Sequence, residues 1–115
     1  MSTITLPWPS RTLHPNSRPH WAALYKAKAK AKAEAYVMTR YLRECVSEPI
    51  LVTVTMHPPR AGRRDVDGAV SACKAYFDGI ADAIGIDDSR WKWRLPSEFA
   101  EPLKGGAIIV EITPA

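Results

Sequence analysis

Residues 63–91 read RRDVDGAVSACKAYFDGIADAIGIDDSRW, and the way this stretch is read decides the fold. Asp65 and Asp67 are two apart, so in an extended segment both side chains point the same way. From Asp67 to Ile84 the residues keep a helical period. At about 100° per residue, Asp67, Ser71, Lys74, Asp78 and Asp82 share one stripe, while Val70, Cys73, Phe77, Ile80 and Ile84 share another. Gly85 is a natural stop, and Asp87-Asp88 follows it. One helix is thus bracketed by carboxylates with arginines beside them, a composition suited to a hard divalent cation working on phosphate. Asp88 returns toward Asp65 and Asp67 only if the chain folds back after Gly85. Acids ahead of a helix also serve as caps and favour its dipole. Asp87 reads as a turn residue, and Lys74 with Asp78 as an i,i+4 pair of small effect.

Upstream, Ile50–His57 alternates, Ile50, Val52, Val54 and Met56 against Leu51, Thr53, Thr55 and His57, which predicts a strand. Residues 20–46 contain no glycine or proline and predict the longest helix. Its KAKAKAKAEA run has a period of two, but alanine is weak in strands and the spacing of Trp21, Tyr25, Ala29, Ala33, Tyr36 and Val37 is helical. Lys26 and Lys30 lie one turn apart, as do Lys28 and Lys32, on different sides of the helix, so not every lysine can face one ligand. Residues 2–8 predict a short edge strand limited by Pro7 and Pro9. Residues 9–20, with three prolines, form a loop whose Arg11, His14, Asn16, Arg18 and His20 can contact phosphate or base edges, or which is a plain connector. Downstream, residues 91–95 predict a short strand, 96–106 a loop or wide hairpin, and 107–113 a last strand. The expected architecture is a single α+β domain over 1–115, two layers, with a small mixed sheet and two main helices in the order β-α-β-α-β-β.

The chain's 115 residues suit one domain with a modest core. No apolar run approaches bilayer length, and the first residues lack the features of a signal peptide, so a cytoplasmic setting without membrane contact is expected. Cys45 and Cys73 lack a C-x-x-C spacing and read as buried free thiols. The three histidines form no ligand spacing. Charge is unevenly placed: residues 1–64 carry a net +8 and residues 65–115 a net −4. A basic half joined to clustered aspartates suits a metal-dependent enzyme on a polyanion, or a basic module meeting an acidic partner.

Three motifs in order resemble the RusA-type Holliday-junction resolvases, small endonucleases common in phages and prophages. They are Leu6-Pro7-Trp8-Pro9-Ser10, then Arg64-Asp65-Val66-Asp67 with Lys74-Ala75-Tyr76-Phe77-Asp78-Gly79-Ile80, then the Gly-Ile-Asp87-Asp88-Ser run, with a final strand pair across a glycine-containing turn. The resemblance covers essentially the whole chain. It implies a homodimeric, Mg²⁺-dependent nuclease, Mn²⁺ being a substitute, that makes paired cuts in branched DNA inside a bacterial or phage-infected cell. By the same resemblance Asp65, Asp67 and Asp88 are metal ligands and Lys74 a catalytic lysine, while Arg11, Asn16, Arg18, Lys26, Lys30, Arg60, Arg63 and Arg64 are candidates for holding DNA. The chain departs from the family pattern in three places, the first being a basic loop at residues 11–21 longer than the family's. Gly68 stands where Asn is usual, and the Asp67-to-Lys74 gap is longer by about one helical turn. The last two departures leave an alternative, a catalytically inactive binder of branched DNA on the same scaffold.

Overall fold

Alternation at Ile50–His57 produces strand β2, with Ile50, Val52, Val54 and Met56 buried and the intervening residues half-buried, as the period predicts. A computed structural model describes residues 2–115. Strand β1 (Ser2–Leu6), β2, β3 (Lys92–Arg94) and β4 (Ala107–Pro114) form one mixed sheet in the order β1-β4-β2-β3. β4 runs antiparallel to both neighbours, with Val110 opposite Ile4 on one side and Val54 on the other. β3 is parallel to β2. β1 is an edge strand, as Pro7 and Pro9 suggest. The last two strands are not neighbours, because β2 lies between them. Residues 95–106 are therefore no hairpin. They run beside the end of β2, where Ala100 N–H donates to the Met56 carbonyl at 3.0 Å and Leu103 N–H to that of Pro58 at 2.9 Å.

Helices α1 (Trp21–Thr39), α2 (Val66–Ala72) and α3 (Lys74–Ile84) make the second layer. The domain is thus two-layer α+β, with helices over one face of the sheet. Tyr76, Phe77, Ile80 and Ile84 of α3 share a core with Ile4, Leu6, Val52, Met56, Ile108 and Val110. Trp91 is buried there, its Nε1–H donating to the Ile86 carbonyl at 3.0 Å.

Three expectations change. The run from Asp67 to Ile84 is two helices, so the order is β-α-β-α-α-β-β. Cys73 (φ −89°, ψ 1°) leaves helical geometry, and its N–H turns back to the Val70 carbonyl at 3.0 Å. No glycine or proline announces this junction. The helix over 20–46 ends at Thr39 and tightens into a 3₁₀ turn, Arg40–Leu42. Its buried face is Ala31, Ala35 and Thr39, four apart, whereas Trp21, Tyr25, Tyr36 and Val37 are exposed. Finally, Cys73 is buried but Cys45 is exposed; both are free thiols.

Small residues let α1 and α3 approach closely. A Cβ on Gly79 would lie 2.3 Å from the Lys32 carbonyl oxygen and 3.0 Å from Ala35 Cβ. Gly79→Ala is expected to destabilise the fold by about 1–3 kcal/mol despite alanine's better helix propensity, because a backbone carbonyl cannot step aside. A lowered urea midpoint at unchanged m-value checks it. Burial pushes the Cys73 thiol up to about 12, and the Tyr76 phenol is also raised, chiefly by burial. Above pH 9 the unfolded chain loses a proton that folded Cys73 keeps, so stability falls as pH rises, by up to about 1.4 kcal/mol per pH unit for this group. Urea titrations between pH 8 and 11 are expected to give a shallower fall for Cys73→Ala.

Candidate functional site

Helix α2 is a ridge between two clefts. On one side Asp65 caps the helix, its Oδ1 accepting from Asp67 N–H at 3.2 Å. Here a cleft of about 560 Å³ is lined by Arg11, His14, Asn16, Arg63, Arg64 and Asp65, with Trp8 and Ala69 among its walls. Arg64 lies over the Trp8 ring, 5.7 Å from its centroid, which holds one guanidinium at the rim. On the other side a cleft of about 500 Å³ is lined by Val70, Ser71, Lys74, Phe77, Asp88 and Trp93. Asp67 is exposed and belongs to neither lining.

The chain does fold back after Gly85, whose left-handed φ of 75° ends α3. Asp88 consequently meets α3 at its start: Lys74 Nζ donates to Asp88 Oδ2 at 2.8 Å and to Asp78 Oδ1 at 2.7 Å. Both hydrogen bonds, Asp78's first, hold the Lys74 ammonium above the usual lysine range, so it is a cation throughout physiological pH. Asp87 is the turn residue expected. It caps the following 3₁₀ turn through Ser89, and those hydrogen bonds hold the Asp87 carboxyl below the usual carboxylate range.

Asp65 and Asp88 therefore line different clefts. Among the described residues, no three histidine, cysteine, aspartate or glutamate side chains come together closely enough to share an ion. The donors themselves are oxygen-only and accessible: Asp65 and Asp67 are exposed and Asp88 half-buried. That chemistry fits a hard cation which keeps part of its water shell.

The predicted DNA contacts separate in space. Arg11, Asn16, Arg63 and Arg64 share the first cleft, while exposed Arg18 and Arg60 lie outside its lining. Lys30 borders a shallow apolar groove with Pro7, Val37 and Met38, away from Lys74, and Lys26 is exposed outside all these linings. Lys28 and Lys32 instead border a groove of about 370 Å³ with Ser71, Lys74 and Asp78. Helical phase alone separates the two lysine pairs but does not say which faces α3.

No family model matches the chain. A protein of Xylella fastidiosa (strain Temecula1 / ATCC 700964), described as uncharacterized, is 37% identical over 118 residues, covering 98% of this chain and 76% of that protein. The chain belongs to that protein's family. The matched span takes in both clefts, and the relative's description names no activity.

Sequence reasoning placed His14 only among possible contacts of a loop; it belongs to the first cleft. A Cβ on Gly68 would lie 2.6 Å from His14 Nε2 and 2.9 Å from Asp65 Oδ2. Glycine at 68 therefore makes room for the imidazole, and its occurrence inside a helix signals such a close approach. Gly68→Ala is expected to displace His14, so that the roughly 1 kcal/mol gain in helix propensity is not realised. A changed His14 ring resonance in ¹⁵N spectra, with no rise in urea midpoint, checks it.

Proposed function

We propose that this chain is a Mg²⁺-dependent endonuclease that resolves four-way and related branched DNA junctions by paired phosphodiester hydrolysis, as its resemblance to the RusA-type resolvases implies. The observation that carries the reading is the contact between Lys74 and Asp88, 2.8 Å across fourteen residues. It supports the expectation that the Asp87-Asp88 turn returns to the helical segment begun by Asp65 and Asp67. The arginine-lined cleft beside Asp65 adds a surface suited to a polyanion.

Asp65, Asp67 and Asp88 would hold the ion, with Mn²⁺ as a substitute. The bound ion supplies an activated water and charge relief on phosphate oxygens. Arg11, Arg63 and Arg64 grip the strand by its backbone. Lys74, kept cationic by Asp78 and Asp88, offers positive charge against the negative charge that develops on the phosphate. A homodimer presents two such centres related by two-fold symmetry, one for each cut.

The inactive-binder reading has an observation of its own: Lys74 already neutralises Asp88, and the three carboxylates stand apart. A labelled four-way junction incubated with Mg²⁺ separates the two readings. The enzyme is expected to give paired nicks that fall about a hundredfold or more in Asp67→Asn while binding persists. Tight binding without nicks in either Mg²⁺ or Mn²⁺ would overturn it in favour of the binder.

A further inference from the structure

His14 lies in the loop between β1 and α1, yet its backbone and ring are both fixed. Its N–H donates to the Arg11 carbonyl at 3.1 Å, and its carbonyl accepts from Ser17 N–H at 2.9 Å. Its Nδ1 accepts from Asn16 N–H at 3.1 Å. A backbone N–H can only donate, so Nδ1 carries the lone pair and the neutral ring's proton is on Nε2. Nε2 is thus a donor and not a lone-pair ligand for a metal. Among the described residues it has no hydrogen-bond partner, although it sits in the wall of the first cleft beside the Gly68 gap. The titratable and charged groups around that cleft are Arg11, Arg63, Arg64 and Asp65. Three guanidiniums against one carboxylate give it a net positive lining. A fixed, unused N–H donor in a positive cleft suits an oxyanion, and its rigidity removes the ordering cost of binding one.

We propose that His14 is a phosphate-binding residue, its Nε2–H donating to a backbone phosphate of a nucleic-acid strand that lies along Arg11, Arg63 and Arg64. The identity of the polymer rests on the nuclease reading; the recognition of phosphate does not. His14 then positions the strand beside Asp65 without entering the chemistry. Gly68 is part of the same device, since any side chain there would take the imidazole's place.

The test is made without metal, so that it stands apart from cleavage. ¹⁵N-labelled protein in EDTA is titrated with hexathymidylate, the His14 Nε2 resonance is followed, and affinity is measured by fluorescence anisotropy for wild type, His14→Phe and His14→Gln. The oligonucleotide is expected to shift His14 Nε2. His14→Phe, which keeps a ring over Gly68 but has no donor, is expected to bind about tenfold more weakly. His14→Gln, which restores an N–H at similar reach, is expected to recover most of that loss. Equal binding by all three proteins, or equal loss in Phe and Gln, would overturn the proposal, as would a saturating titration that leaves Nε2 unmoved. If Nε2 shifts and no junction is cut in either Mg²⁺ or Mn²⁺, the phosphate site stands and the nuclease reading falls.

Discussion

Where Gly79 meets the carbonyl of Lys32, two helix backbones touch with no side chain between them, and the placement of the candidate site follows from that contact. It fixes the height and rotation of α3 against α1 while the opposite side of α3 enters the core. Both ends of α3 are then determined. Lys74 opens it and Gly85 closes it, and the turn beyond Gly85 delivers Asp88 to Lys74. The ion pairs at Lys74 are a consequence of this packing more than its cause. Lys74 is largely exposed, and exposed pairs contribute little against solvent and side-chain entropy. The Lys32–Asp82 bridge between α1 and α3, at 3.1 Å, belongs to the same class. Apolar burial and close backbone approach hold the layers; charge decorates the surface they create.

Much of the architecture was legible because it rests on periodicity. Each strand alternates as the sheet requires, and β2 and β4 bury the residues that their period of two selects. The helical reading of the lysine-alanine run held because alanine favours helices. Its buried face was not legible, because hydrophobicity pointed to the aromatics, whereas the close contact with α3 selects Ala31 and Ala35. Size decided that face, and size has no periodic signal at long range. The junction at Cys73 was equally hidden, since neither of the usual helix breakers is present. It coincides with the extra turn between Asp67 and Lys74, which α2 takes up as a separate short helix.

The site was legible in its parts more than in its assembly. Arg63, Arg64 and Asp65 announce themselves as neighbours in sequence, and the cleft unites them with Arg11 and Asn16 from fifty residues earlier. Whether the chain folds back after Gly85 was left open by the sequence; it does, but it brings Asp88 to Lys74, in a different cleft from Asp65. That the partner of Asp88 would be Lys74 was beyond a sequence reading, because the break at Cys73 resets the helical phase from which such neighbours are predicted. His14 was hidden for another reason: its role depends on an absent Cβ at 68, and only coordinates reveal what fills the gap.

The sheet order has a consequence for the birth of the molecule. β4, with Ile108, Val110 and Ile112 at its heart, is the strand that joins β1 to β2, yet it leaves the ribosome after both of them. Throughout synthesis β1 must wait for a partner encoded about a hundred residues later, and loop closure over that length is slow. Helices α1 and α3 can begin to associate in the nascent chain through their own small residues, but the apolar edges of β1 and β2 stay open until translation reaches β4. Completion of the sheet therefore waits for β4, and a chain stalled before residue 107 would expose β1 and the open edge of β2 to whatever chaperone or neighbour meets them first.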